Sequence, residues 1–226
     1  PDHIAWGLRK PNRVRSPTQL MQLGRTAGFT TVIVHLRSNE FARHLSELEY
    51  NRTSANRMYD RESIYKYLCF GGAEGLVMAA NTMHKVYDRL TEAVSIPVLH
   101  IADSVGKAMK EAECESAALL GTRFVMTESF YRQRLVSHGV NLLPPDPGDV
   151  ELVDGIIYKE LMLGRVTRDA ERALKTVITM KEKEGAQAIV LACTELELVV
   201  DTDANVLPVF DSTDIHCRAA ADWILG

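Results

Sequence analysis

The chain has 226 residues, 46% apolar and 25% charged, with a formal net charge of −4, which suits one large or two small domains with cores of their own. The composition argues against collagen, coiled coil and disorder, and the mildly acidic balance argues against a nucleic-acid or anionic-membrane partner. No apolar run approaches the ~20 residues that span a bilayer, and Pro1-Asp2-His3-Ile4 lacks the basic-then-apolar layout of a signal peptide, so the chain reads as cytoplasmic.

In chain order, a short strand is expected at 3–6 and a buried one at 31–36, then helices at 40–50 and 60–70 flanking a polar loop. Further short apolar runs at 75–79, 98–101, 117–120, 188–192 and 206–210 read as buried strands. Helical periodicity fills 83–93, 105–112, 127–138, 150–163 and 167–183, and the Pro- and Gly-rich stretch 143–148 reads as a connection. Strands alternating with helices predict an α/β fold with central parallel sheets covered by helices.

An internal repeat organises this pattern. Residues 72–82 (GAEGLVMAANT) match 185–195 (GAQAIVLACTE), and each copy continues through a helical stretch to an apolar strand, IPVLH at 96–100 and LPVFD at 207–211. A fainter likeness links 4–9 with 119–123. The repeat implies two pseudo-symmetric α/β halves, residues 1–100 completed by 206–226, and 101–205. Ligands in open α/β sheets bind beyond the carboxyl ends of the strands. The symmetry therefore predicts a site in the cleft between the halves, with Ala80 and Cys193 facing each other.

The four cysteines, Cys69, Cys114, Cys193 and Cys217, are widely spaced, which speaks against a zinc site and, in a reducing compartment, against disulfides. Cys193 differs from the others because it ends a strand and precedes Thr194 and Glu195. Exposed backbone N–H groups there are expected to lower its pKa. Thr194 offers a hydroxyl and an N–H to a carboxylate, and Glu195 a group to orient a donor. The bland reading is a small core thiol, against which the repeat and its polar tail weigh. At the matching strand end, Asn81 and Thr82 read as carboxylate binders or as an ordinary helix cap, two roles that are compatible. His84 reads as a helix-face residue rather than a general base.

The stretches AANTMHKV, IPVLHIAD, LLGTRF, GAQAIVLACTEL and LPVFDSTDIH resemble the aspartate/glutamate racemase superfamily, and within it the bacterial amino-acid racemases. The resemblance covers most of residues 70–226. It implies two pseudo-symmetric α/β domains around one active site, no pyridoxal phosphate or metal, and a homodimer. It implies a small acidic amino acid or dicarboxylate as ligand, and two thiols on opposite faces of the substrate α-carbon, one removing the proton and the other returning it. Asn81, Thr82, Thr122 and Thr194 match the family's binders of the α-carboxylate and ammonium. Ser38 and Glu40 match a weaker element, His216 matches a supporting histidine, and Asp211 to Thr213 line the same end. Arg52 is a candidate for a distal carboxylate or a plain surface residue.

Three positions depart from the family. Ala80 stands where the first cysteine is expected, Gly7-Leu8-Arg9-Lys10-Pro11-Asn12 replaces a glycine-rich loop, and Val125 replaces a threonine. The expectation is an isomerase, an amino-acid racemase or racemase-derived protein in which Cys193 is the surviving base and inversion is impaired by Ala80. The alternatives are a one-cysteine cofactor-free decarboxylase of the same superfamily and an inactive binder of amino acids or dicarboxylates. Whether Ala80 is natural or an introduced ligand-trapping change stays open, and the altered N-terminal segment favours natural divergence.

Overall fold

The computed structural model describes residues 32–34 and 75–225, which fall into two compact units. In the first unit, β1 (Val32–Val34), β2 (Leu76–Met78) and β3 (Val98–Leu99) form a parallel sheet in the order β1-β2-β3. All three β2 residues are buried, as a run apolar at every position requires of a central parallel strand. The same unit holds residues 88–99, with most of α1 (Tyr87–Ala93), and residues 217–225. The predicted elements at 3–6, 40–50 and 60–70 lie outside the described residues.

The second unit comprises residues 80–87 and 100–216. Its sheet is parallel throughout, in the order β5-β4-β6-β7, with β4 at Ser116–Gly121, β5 at Asn141–Leu142, β6 at Ala188–Ala192 and β7 at Val209–Asp211. Period-two alternation sends β4 and β6 side chains into two cores. Ala118, Leu120, Ile189, Leu191 and Cys193 pack with α5 (Pro147–Lys159) and α6 (Arg168–Lys183). Ala117, Leu119, Val190 and Ala192 pack with α2 (Ile101–Glu111), α3 (Arg123–Thr127) and α4 (Ser129–Ser137).

Local chemistry moves several boundaries away from the sequence reading. The strand expected at 98–101 stops at Leu99, because the His100 Nδ1 accepts the Ala102 N–H at 3.1 Å and caps α2. The single helix expected at 127–138 is two, α3 and α4, hinged where Glu128 is extended. The helix expected at 150–163 starts three residues earlier, with Pro147 in its first turn and the Asp146 carboxylate accepting the Asp149 N–H at 2.9 Å.

The internal repeat is reproduced at the level of single hydrogen bonds. Leu76 is paired with Val98 and its repeat counterpart Ile189 with Val209. Leu76 N–H donates to the Pro97 carbonyl and Ile189 N–H to the Pro208 carbonyl, both at 2.9 Å. His100 caps α2 as Asp211 caps α7 (Ser212–Leu225), the Asp211 carboxylate accepting the Thr213 N–H at 2.8 Å.

Candidate active site

The strand ends of the second unit bring the first candidates together. Gly121 is paired with Ala192, so Thr122 and Cys193, one residue beyond, stand side by side at the carboxyl ends of adjacent parallel strands. A Cβ on Gly121 would lie 2.7 Å from the Ala192 carbonyl oxygen and 3.3 Å from Val125 Cγ1. Only glycine allows this approach without displacing backbone.

The segment after β2 is moored to the same place. Asn81–Val86 form a 3-10 helix, in which Thr82 Oγ1 lies 2.9 Å from Thr122 Oγ1. Lys85 reaches Glu128 at 2.8 Å and covers the Phe124 ring at 5.0 Å. His84 is fully buried. Its Nδ1 lies 3.0 Å from the Ala80 carbonyl, and its Nε2 accepts the Ile101 N–H at 3.1 Å. Those partners assign a neutral ring protonated on Nδ1, a clamp on the backbone around Ala80 and no base. Asn81 is 3% exposed, and among the described residues neither polar atom of its side chain meets a partner. Buried amides are ordinarily satisfied, so this one stands out among the described side chains.

Cys193 is buried and its thiol donates to Glu195 Oε2 at 3.1 Å. Thr194 Oγ1 donates to the same oxygen at 2.7 Å, which engages the hydroxyl that the sequence offers to a substrate. The expectation of a lowered thiol pKa is reversed. Burial pushes the thiol well above its ordinary value, and the negative charges of Glu195 and then Asp154 add to that push. The backbone N–H of Glu195 opposes them without prevailing. The strand leads into a 3-10 turn, Leu196–Leu198, too short to carry a substantial helix dipole.

Helix α5 supplies two neighbours that the sequence reading missed. Asp154 Oδ1 accepts the Arg123 N–H at 2.6 Å, next to Thr122, and its Oδ2 lies 4.0 Å from Arg123 Nε. Tyr158, one turn along the same face, is 42% exposed. Its phenol is pushed up by burial first, then by the charges of Asp154, Cys193 and Glu195. Asp154 and Tyr158 sit in a stretch that reads as an ordinary amphipathic helix, and only the packing of α5 against β4 and β6 exposes their connection to Cys193.

Behind Asn81–Val86 lies a group of buried histidines. The His100 ring centroid is 4.4 Å from that of His84 and 4.6 Å from that of Tyr87, and His84 is 6.0 Å from His216. His216 Nδ1 lies 3.2 Å from Ser104 Oγ. Burial first, and then the neighbouring His84, Arg134, His216 and His138 side chains, lower the His100 pKa to about 2. His216 thus belongs to this internal group. Ser38, Glu40 and Arg52 lie outside the described residues, as does Cys69. Cys114 is partly buried and Cys217 exposed. Among the described residues no group of three or more His, Cys, Asp or Glu is arranged to hold a metal ion, and no helix is long and apolar enough to cross a membrane.

Comparison with known proteins gives this geometry a context. A family model for Asp/Glu/Hydantoin racemase matches residues 26–220. The broad specificity amino-acid racemase RacX of Bacillus subtilis (strain 168) is 24% identical over 179 residues, 76% of this chain and 77% of its own length. Among solved structures, a candidate Asp/Glu racemase from Yersinia pestis is 33% identical with a TM-score of 0.73, covering 93% of each chain. An aspartate racemase homologue from Pyrococcus horikoshii OT3 is 26% identical with a TM-score of 0.69, over 86% of this chain and 98% of its own.

Proposed function

The chain belongs to the Asp/Glu/hydantoin racemase family, and on that footing we propose that it is a cofactor-independent isomerase-type enzyme that labilises the α-proton of an amino acid from one face, with Cys193 as the reacting group. The observation that carries this reading is the 3.1 Å hydrogen bond from the Cys193 thiol to Glu195 Oε2. The strand register sets Thr122 next to Cys193, Thr122 meets Thr82, and Asn81, whose amide has no partner among the described residues, precedes Thr82 in the chain.

Those groups define the chemistry. The Cys193 proton passes to Glu195 Oε2, and the thiolate so formed takes the substrate α-proton as the Cα–H bond breaks. The electron pair moves into the substrate carboxylate, where Asn81 and the Thr82 and Thr122 hydroxyls are placed to stabilise the developing negative charge. Exchange with solvent and return of a proton from the same side restore the original enantiomer. Inversion requires a donor on the opposite face, which the family logic assigns to position 80, and the methyl group of Ala80 has no proton to give. Exchange without inversion is therefore the expected signature.

The test is incubation with both enantiomers of a panel of amino acids in heavy water, following deuterium at Cα and optical configuration together. Deuterium entering one enantiomer with its configuration retained supports the reading. Unchanged exchange in Cys193→Ala would overturn it.

One observation favours a second reading. A thiol held protonated by burial and by Glu195 is suited to protonating a carbanion made by loss of carbon dioxide, which needs a single donor. Carbon dioxide release from substituted malonates, with no α-proton exchange from any amino acid, would select the decarboxylase.

A further inference from the structure

The charges around Cys193 bear on the side chain of the substrate, a question that rests on the α-proton chemistry proposed above and goes beyond it. The register pair Gly121–Ala192 sets Thr122 next to Cys193, and the residue after Thr122 donates its N–H to Asp154 at 2.6 Å. Asp154 therefore stands at the rim of the strand-end site. Glu195 stands within it, 3.1 Å from the thiol. Tyr158 lies on the same face of α5 as Asp154, one turn further on, and is partly exposed.

We infer that this site selects an α-amino acid whose side chain carries a cation, an ammonium or guanidinium group, over one carrying a second carboxylate. Asp154 supplies a carboxylate and Tyr158 an aromatic face, the two groups by which proteins recognise such a cation. A substrate carboxylate entering the same space meets Asp154 and Glu195 as like charges, with a cost that grows as water is excluded. Among the described residues the cation paired with Asp154 is the Arg123 side chain, 56% exposed and at the 4.0 Å limit of an ion pair, where solvent screening leaves it little force. The perturbation of the thiol agrees in sign, since the two charges acting on it most strongly are those of Glu195 and Asp154.

Rates of α-deuteration in heavy water at neutral pH test this. The substrates are lysine, arginine, aspartate, glutamate and methionine, both enantiomers, at one sub-saturating concentration, with the intact chain and with Asp154→Asn and Tyr158→Leu. Asparagine keeps the Oδ1 acceptor for the Arg123 N–H, and circular dichroism checks the fold of each variant. Lysine or arginine is expected to exchange about tenfold or more faster than aspartate or glutamate. Asp154→Asn is expected to reduce that ratio by about tenfold, a ratio in which any general change in the thiol cancels, with methionine as the uncharged reference in each variant. Tyr158→Leu is expected to lower it by a smaller factor, about threefold. Faster exchange of aspartate or glutamate than of lysine and arginine overturns the inference and leaves the α-proton chemistry standing. A ratio unmoved in a folded Asp154→Asn protein also overturns it. Exchange with none of the five amino acids overturns the proposed chemistry, and the inference with it.

Discussion

The segments after β2 and β6 share a backbone and differ in chemistry. Each begins at a buried parallel strand from which one residue, Leu76 or Ile189, donates to a proline carbonyl at 2.9 Å, and in each a helix after the neighbouring strand is capped by a side chain bonded two residues ahead. After β6 stand a thiol, a carboxylate and, from α5, a second carboxylate. After β2 stand a methyl group, an unsatisfied amide and a set of buried histidines whose described hydrogen bonds run largely to backbone. The same backbone hydrogen bonds therefore hold side chains of different chemistry at the two strand ends.

Removing the reacting group from the β6 side is the largest perturbation of this contrast. Cys193→Ala is expected to lower α-proton exchange by about 10²- to 10⁴-fold, the range for loss of a positioned acid–base group, read by deuterium incorporation. Supplying one on the β2 side is the converse. Ala80→Cys is expected to convert exchange with retention into measurable inversion, read by chiral chromatography, and inversion unchanged from the parent would remove position 80 from the mechanism.

Glu195→Gln keeps the shape of the side chain and removes its charge. It takes away the charge that helps hold the Cys193 proton, so the thiol pKa falls. Alkylation of the Cys193 peptide at pH 8, monitored by mass spectrometry, is expected to quicken by up to about tenfold for each unit of that fall, even as exchange slows for want of the proton acceptor.

The smallest effect is on stability. His100 has a folded pKa of about 2 against about 6.5 in the unfolded chain. Between those values the unfolded chain takes up a proton that the folded one refuses. Stability from this group is therefore intact above about pH 6.5 and declines by up to about 1.4 kcal/mol per pH unit below it. His100→Asn retains a good cap and removes the titration, so its melting temperature is expected to fall less than the parent's between pH 7 and pH 5. Parallel curves would show that His100 does not set the acid limit.

How far this was legible in the sequence depends on the range of the interaction concerned. The repeat showed the strands, their equivalence and the polar residues at their ends, because alternation and short motifs are local. The hinge at Glu128 was hidden because helical periodicity runs through it, and Asn141–Leu142 is too short to carry a pattern. The pKa of Cys193 was misjudged in sign because its largest cause, burial, comes from tertiary packing, and the charges of Glu195 and then Asp154 act in the same direction. Asp154 and Tyr158 were missed for the same reason, and no motif marks either of them.

The clamp of His84 on the Ala80 carbonyl, with its other nitrogen on the Ile101 N–H, also bears on how such a protein changes over time. It fixes the main chain at position 80 through a carbonyl oxygen, an atom that every residue possesses. The side chain there is thus released from any duty to the fold. A reactive group can be lost from that position without loss of the architecture around it, and can return by a single substitution into a frame that has stayed intact.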